Sequence, residues 1–171
     1  IVVHMHPVND SPEIHLPNSC SLNGSPRLIL VEDTPSVISG ISLSDVDGNA
    51  TVDSITLTIA AKYGVLDISI ANSLNVVVLA DTKSYMPPNT MITSLNDNKR
   101  SDVLVLRGLL SDVNEALQTL KYTGVKDFNG VWEFARKHDA SKIPAPGPGL
   151  EILTLYAQDA DGGLNEATCY V

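Results

Sequence analysis

The sequence predicts an antiparallel β-sandwich that carries one short helix. Apolar and polar residues alternate with period two in short segments, and turn-forming Gly, Pro, Asp and Asn residues separate these segments. One segment, 108–124, departs from this pattern, because its apolar residues recur at spacings of three and four. We therefore expect an all-β architecture with a single helical exception.

The strand pattern repeats along the chain. In 51–60, for example, Ile55, Leu57 and Ile59 alternate with Thr and Ser, which predicts a strand with one buried face. The predicted strands lie within 27–35, 36–45, 51–60, 63–70, 75–80, 102–108, 119–123, 150–159 and 164–171. Two polar or Pro/Gly-rich stretches, 84–102 and 136–149, are predicted as long loops, which makes them either contact surfaces for a partner or tolerated insertions.

The helical segment has a clear apolar stripe. The residues of this stripe are Leu110, Val113, Leu117 and Leu120. Asp112 and Glu115 have the three-residue spacing of a capping box, in which the two side chains bond to backbone N–H groups at a helix start. We predict a short helix at 111–119 that packs its stripe into the core and covers one opening of the sandwich.

Composition excludes several classes of function. The chain has 171 residues, of which 43% are hydrophobic, so it is long enough to bury a core. Its formal charge of −9 argues against a nucleic-acid partner, which requires a basic surface, and against binding to anionic membranes. No run approaches the roughly 18 apolar residues of a membrane span, so we expect no direct membrane insertion. An acidic excess does suit a protein that holds cations.

The two cysteines, Cys20 and Cys169, lie near opposite ends of the chain. In a cytosolic protein such residues are usually buried thiols, whereas in a secreted protein they usually pair. Composition alone leaves both alternatives open.

Acidic residues are concentrated where predicted strands end. Glu32 and Asp33 follow one strand, and two Asp-x-Asp pairs, Asp45 with Asp47 and Asp159 with Asp161, follow two others. Residues i and i+2 of an extended chain point to the same side, so each pair aims two carboxylates at one place. Calcium takes six to eight oxygen ligands, and it relieves the repulsion between adjacent carboxylates. The pattern is not an EF-hand, since Ala50 stands where that loop needs Gly.

The segment HPVNDSPEIHLP, residues 6–17, precedes these clusters. Pro7 and Pro12 favour an extended, stiff backbone on either side of Asn9 and Asp10. The segment therefore reads as a linker that presents oxygen-bearing side chains.

Taken in order, these motifs resemble a cadherin-like repeat of the kind found in tandem in large surface adhesins and proteoglycan-type repeat proteins. The motifs are VNDSP (8–12), VEDTP (31–35), SDVDGNATVDSITLTI (44–59), GLLSDVNEALQTLKYTGVKDFNG (108–130) and LTLYAQDADGG (153–163). The resemblance runs from Val8 to Val171 and is interrupted by the two predicted loops. It implies a Greek-key, immunoglobulin-like sandwich of about seven strands with calcium at the joints between repeats. Residues 1–12 would then be the end of a preceding repeat and its linker, and residues 13–171 the domain itself.

The resemblance also implies a set of calcium ligands. The residues at matching positions are Asn9, Asp10, Glu32, Asp45, Asp47 and Asp159, with Asp161 as a further candidate. The chain lacks the Leu-Asp-Arg-Glu motif of vertebrate cadherins, which indicates fewer ions or weaker binding at each joint. Because the first and last strands of such a sandwich lie side by side, the resemblance implies a disulfide between Cys20 and Cys169.

The sequence contains no recognisable catalytic set. It has no Gly-x-Ser-x-Gly, His-Glu-x-x-His or phosphate-binding Gly loop, and His4 with His6 is better explained as part of a solvated strand. We therefore predict a non-enzymatic, extracellular or cell-surface module, a fragment of a longer protein, that acts as a calcium-binding spacer or adhesive domain. Its expected partners are neighbouring repeats of the same protein and other extracellular proteins. The alternative is an accessory glycan- or protein-binding domain of a secreted enzyme.

One glycosylation site is expected at Asn49. Asn49 begins the acceptor motif NAT directly after the first Asp-x-Asp pair. Asn9 and Asn23 begin similar motifs, but a proline follows each of them and weakens the motif. In a eukaryotic secreted protein, Asn49 is therefore the predicted site of modification.

Overall fold

The computed structural model describes residues 8–21, 30–31, 33–50, 52–62, 64–78, 95–96, 100–124 and 151–171. These residues form twelve β-strands, one α-helix and one turn of 3-10 helix. The strands are β1 (Glu13–His15), β2 (Ser36–Val37), β3 (Ser42–Ser44), β4 (Ser54–Ala61), β5 (Val65–Asp67), β6 (Val76–Val78), β7 (Leu95–Asn96), β8 (Arg100–Ser101), β9 (Val103–Leu109), β10 (Lys121–Thr123), β11 (Ile152–Gln158) and β12 (Leu164–Tyr170). The helix α1 spans Leu110–Leu117, and the 3-10 turn spans Asn18–Cys20.

All the strand pairs are antiparallel. Two sheets have five strands each. The one with the longer strands, which we call the largest sheet, has the order β12-β11-β4-β9-β6, and the second sheet has the order β2-β10-β5-β8-β7. In addition, β1 pairs with β3. The predicted β-rich fold with antiparallel sheets and one short helix is therefore confirmed. Many strands are only two or three residues long, which is why their number exceeds the nine predicted segments and the seven or so strands that the resemblance implies.

The two five-stranded sheets share one hydrophobic core. Along β4, Ile55, Leu57 and Ile59 are at most 3% exposed, as the alternation predicted. The same buried cluster includes Leu66 of β5 and Tyr122 of β10, which belong to the second sheet. Burial of each large aliphatic side chain stabilises the fold by about 1.5–3 kcal/mol, so this shared cluster is the main force that holds the sheets together.

The predicted helix is confirmed within two residues at each end, and its apolar stripe faces the core. Val113 and Leu117 are at most 1% exposed. The predicted capping box is wrong, because the helix starts after Leu109 without any side-chain cap. Asp112 instead uses Oδ2 to accept a hydrogen bond from the backbone N–H of Asn75, at 2.9 Å. The side chain of Asp112, which its local spacing assigned to the helix cap, therefore makes a long-range contact instead.

Polar side chains of α1 and of the turn after it bind the backbone of two other segments. Asn114 donates from Nδ2 to the carbonyl of Leu43 (2.9 Å) and accepts from the N–H of Leu43 through Oδ1 (2.8 Å). It thereby takes the place of a neighbouring strand on the side of β3 away from β1. The Oγ1 of Thr119 makes an equivalent pair of bonds with the backbone of Ser69. The helix is thus fixed by directional bonds as well as by apolar packing.

The two ends of the largest sheet have different neighbours. Ser54 pairs with Leu109, and Gln158 pairs with Thr56 and Leu164, so α1 follows β9 at this end. We call it the linker end, because residues 8–10 bind there. The opposite end, which carries Ala61, Val103 and Ile152, is called the exit end, since the chain finishes beside it.

The disulfide implied by the resemblance is confirmed. The sulfurs of Cys20 and Cys169 are bonded, with the two Cα atoms 4.4 Å apart, and both residues are at most 1% exposed. The bond joins the 3-10 turn to β12 across a sequence separation of 149 residues. In the chain-entropy model a loop of that size gives a stabilisation of about 5 kcal/mol.

The two predicted loops have different outcomes. Segment 84–102 contains β7 and β8, so its prediction as a continuous loop is wrong at those four residues. Segment 136–149 lies outside the described residues. No helix in the described part of the chain has the length and apolar character required to cross a membrane.

Candidate functional site

The linker is held by acidic turns from two distant parts of the sequence. Nδ2 of Asn9 donates to Oδ2 of Asp159 at 2.9 Å, and the backbone N–H of Asp10 donates to Oδ2 of Asp47 at 2.7 Å. Asn9, Asp10, Asp47 and Asp159 were all predicted from the sequence as site residues. The structure therefore brings together three of the segments that the sequence predicted to meet.

The first acidic turn follows β3 directly. Oδ1 of Asp45 accepts hydrogen bonds from the backbone N–H groups of Asp47 (3.0 Å) and Gly48 (3.1 Å), which is the geometry of an Asx turn. The backbone bends at Val46 and Asp47, so the extended i, i+2 geometry assumed for this pair does not apply. As a result, Asp45 stabilises its own turn, while Asp47 holds the linker.

The second acidic turn separates β11 from β12. Oδ1 of Asp159 accepts hydrogen bonds from the N–H groups of Asp161 (2.9 Å) and Gly163 (2.8 Å), and its Oδ2 receives Asn9. Desolvation opposes ionisation of this carboxyl, but the bonds from Asn9 and from the backbone outweigh it and lower the pKa of Asp159. Asp161 contributes its backbone N–H to this turn, and the side chain of Asp159 caps the turn.

Gly163 is required where the linker crosses this turn. A Cβ at this position would lie 2.3 Å from Oδ2 of Asp159 and 3.0 Å from Nδ2 of Asn9. The first distance is shorter than real Cβ contacts and the second is tight, so a side chain at Gly163 would displace the Asp159 carboxylate that binds Asn9.

The candidate site supplies the ligand chemistry of calcium without a finished ligand cage. Carboxylate and amide oxygens are what calcium prefers, and each carboxylate oxygen can accept more than one bond. Among the residues that the structure describes, however, no three or more His, Cys, Asp or Glu side chains are grouped closely enough to hold a metal ion. Glu32, the remaining predicted ligand, lies outside the described residues.

An open cleft lies next to the linker contacts. It is lined by Asp10, Ser11, Glu13, Ser44, Asp45 and Val46. Three of these residues carry carboxylates, so the cleft extends the acidic surface from the first turn along β1 and β3.

Asn49 lies in the turn that leads into β4. Its side chain is exposed, its N–H donates to Oδ2 of Asp53 at 2.6 Å, and its carbonyl accepts from the N–H groups of Val52 and Asp53. The predicted acceptor asparagine is therefore on the surface, in a turn held by Asp53. The sequence analysis did not single out Asp53.

The sequence analysis also missed a buried carboxyl at the exit end. Glu151 is only 3% exposed, and its Oε2 receives the hydroxyl of Tyr122 at 2.5 Å. Glu151 lies two residues before Leu153 and four before Leu155, both buried, so the alternation in the sequence already indicated that Glu151 points into the core. Burial raises the pKa of Glu151 despite the hydrogen bonds from Tyr122 and from backbone N–H groups, and burial together with Glu151 raises the pKa of Tyr122.

Comparison with known proteins adds no relative to these observations. No protein-family model, no curated protein and no solved structure matches the chain significantly.

Proposed function

We propose that this chain is a calcium-dependent structural module of a large extracellular multi-repeat protein. In this proposal the two five-stranded sheets face each other as a cadherin-like, Greek-key sandwich. Residues 1–12 join it to the preceding repeat, and residues 13–171 form the domain. The module acts as a rigid spacer or as a surface interaction domain, with neighbouring repeats and other extracellular proteins as its partners.

The observation that carries this proposal is the attachment of the linker to two acidic turns. Asn9 and Asp10 are held by Asp159 and Asp47, which lie 150 and 37 residues away in the sequence. A flexible linker that only connects two domains does not require such contacts. A spacer does need them, since they fix the direction in which the linker meets the domain.

Calcium is the ion that this chemistry favours. It supplies positive charge and several coordination positions to carboxylates that would otherwise repel each other. The residues that would hold it are Asp10, Asp45, Asp47 and Asp159, together with the side-chain oxygen of Asn9. Like charges would oppose bringing these side chains closer together without a cation, so a bound ion would stiffen the joint.

The disulfide supports an extracellular setting. Disulfides form and persist mainly in oxidising compartments. The bond between Cys20 and Cys169 is therefore consistent with a secreted or cell-surface protein.

Thermal unfolding with calcium and with a chelator tests the proposal. At a free calcium concentration of about 100 times Kd, binding stabilises the folded state by about 2.7 kcal/mol. For a domain of this size we expect Tm to rise by roughly 5–10 °C. Asp47→Ala should remove most of this rise, because it deletes a candidate ligand and the acceptor of the Asp10 N–H.

The matched control is Glu115→Gln, which removes one exposed carboxylate from α1 at the same end of the domain. This variant should retain the full calcium response. Amide exchange of Asp10 gives a second readout, since calcium should slow it if the joint stiffens. Identical melting curves with calcium and with chelator would refute the calcium site and remove the main support for the spacer function.

A further inference from the structure

The buried carboxyl of Glu151 connects three parts of the exit end. Its Oε2 receives the hydroxyl of Tyr122, which belongs to β10 of the second sheet. Its Oε1 receives the backbone N–H groups of Lys62 and Ile152, both at 2.8 Å. Lys62 lies just after β4, where the chain leaves the largest sheet and passes to β5 of the second sheet.

The surrounding backbone leaves little room for movement at this carboxyl. The N–H and carbonyl of Glu151 bond to Val171 at 2.8 and 3.0 Å, which fixes the last residue of the chain. Gly64, which also donates to the carboxyl, packs against the ring of Tyr122 so closely that a Cβ would lie 2.1 Å from that ring. The side chain of Glu151 therefore binds Tyr122 of β10 and the corner between the sheets, while its backbone binds Val171.

The groups that face Glu151 allow two protonation states. From β10 it faces the phenol of Tyr122, and from the corner it faces the backbone N–H groups of Lys62 and Gly64, while the side chain of Lys62 is exposed. A tyrosine hydroxyl can donate or accept. When Glu151 is ionised, Tyr122 donates to it; when Glu151 takes a proton from solvent, its new O–H can donate to Oη of Tyr122. The hydrogen bond between the two side chains is therefore available in both states.

We propose that the Glu151–Tyr122 pair is a proton-dependent lock that tightens the exit end as pH falls. The physical reason is that burial penalises the ionised form, whereas the hydrogen bond between Glu151 and Tyr122 is available to both forms. This proposal does not depend on calcium, since the pair lies at the opposite end of the largest sheet from the linker contacts.

The sign of the pH dependence follows from the direction in which burial shifts the group. The pKa of Glu151 is raised in the folded state above its ordinary value of 4.5, so the folded protein binds the proton more readily than the unfolded chain. The added stability is complete below the unfolded pKa and is lost as pH rises through the folded pKa. Within that window each pH unit changes the unfolding equilibrium constant by up to tenfold.

The test is urea unfolding of the whole chain from pH 4.5 to pH 8, with a chelator present throughout. The wild type should become less stable as pH rises. Glu151→Gln should lose this component, because its amide can accept from Lys62 and donate to Tyr122 at every pH. Glu115→Gln, with its exposed side chain, is the matched control and should keep the wild-type slope.

A direct readout is the carboxyl ¹³C shift of Glu151 followed by NMR across the same pH range. We expect its midpoint well above that of an exposed glutamate, and higher still in Tyr122→Phe, which removes a bond that favours the ionised form. A midpoint at the value of an exposed glutamate, or a full wild-type slope in Glu151→Gln, would overturn the proposal. If Glu151→Gln does not fold, the midpoint measured in the wild type decides.

Discussion

Replacing Asn114 with alanine should remove the hydrogen bonds between the helix and β3 and destabilise the linker end of the domain. Asn114 makes two hydrogen bonds with Leu43, one to its N–H and one to its carbonyl, at 2.8 and 2.9 Å. Leu43 is only 4% exposed, so water cannot easily replace the lost partner. Because β3 ends directly before Asp45, the substitution also loosens the first acidic turn.

The expected loss can be worked out from these two bonds. A buried polar group that loses its partner costs about 1–3 kcal/mol, and two such groups therefore cost about 2–6 kcal/mol before any relaxation. Alanine recovers roughly 0.5 kcal/mol through its better helix propensity. Since Asn114 is only partly buried, we expect the lower half of the range for two groups, about 2–4 kcal/mol. The gain in helix propensity reduces this loss to about 1.5–3.5 kcal/mol, and Tm should fall by roughly 5–10 °C.

Urea and thermal unfolding measure this loss, and Gln118→Ala is the matched control. Gln118 is the exposed C-cap residue of the same helix, and its Nε2 makes one long bond of 3.4 Å to the carbonyl of Asn114. Its replacement should cost at most about 0.5 kcal/mol, as for ordinary surface changes. If Asn114→Ala were as stable as Gln118→Ala, the view that side-chain bonds from α1 hold β3 in place would be wrong.

Regular secondary structure was the part of the fold that the sequence predicted best. Strands β4, β9, β11 and β12 lie within or overlap the predicted segments. Burial alternates most clearly in β11, whereas β4 and β9 bury residues of both faces and β12 buries only Cys169. The stripe through Val113 and Leu117, which are both buried, identified α1. Strands β7 and β8 were missed, because two-residue strands leave no local pattern. β8 forms by pairing with the distant β5, and β7 then pairs with β8.

The sequence predicted which residues form the candidate site better than it predicted how those residues are arranged. The family resemblance implied that Asp45, Asp47 and Asp159 lie near the linker, but it could not assign their hydrogen bonds. Because the backbone bends after β3, Asp45 binds its own turn whereas Asp47 binds the linker. That bend depends on which backbone N–H groups donate to the Asp45 carboxylate. Glu151 shows the converse case, because its inward phase was visible in the sequence while its partner, Tyr122, lay in a different sheet.

Two further predictions concern the turns at the linker end. Material from a eukaryotic secretory source should carry an N-glycan on Asn49, seen as a mass increment that Asn49→Gln removes; an unmodified peptide from that source would contradict the prediction. Gly163→Ala should detach Asn9 from Asp159 and reduce the stabilisation by calcium, because the new Cβ would lie 2.3 Å from the Asp159 carboxylate. Gly162→Ala is its control: Gly162 has a positive φ of 95° but no atom within 4 Å of an added Cβ, so this variant suffers backbone strain of about 1 kcal/mol without a clash. NMR of the Asn9 side-chain amide and melting with and without calcium should therefore separate the two variants. Equal losses of the calcium response in both would show that strain in the turn, rather than the contact between Asn9 and Asp159, controls the joint.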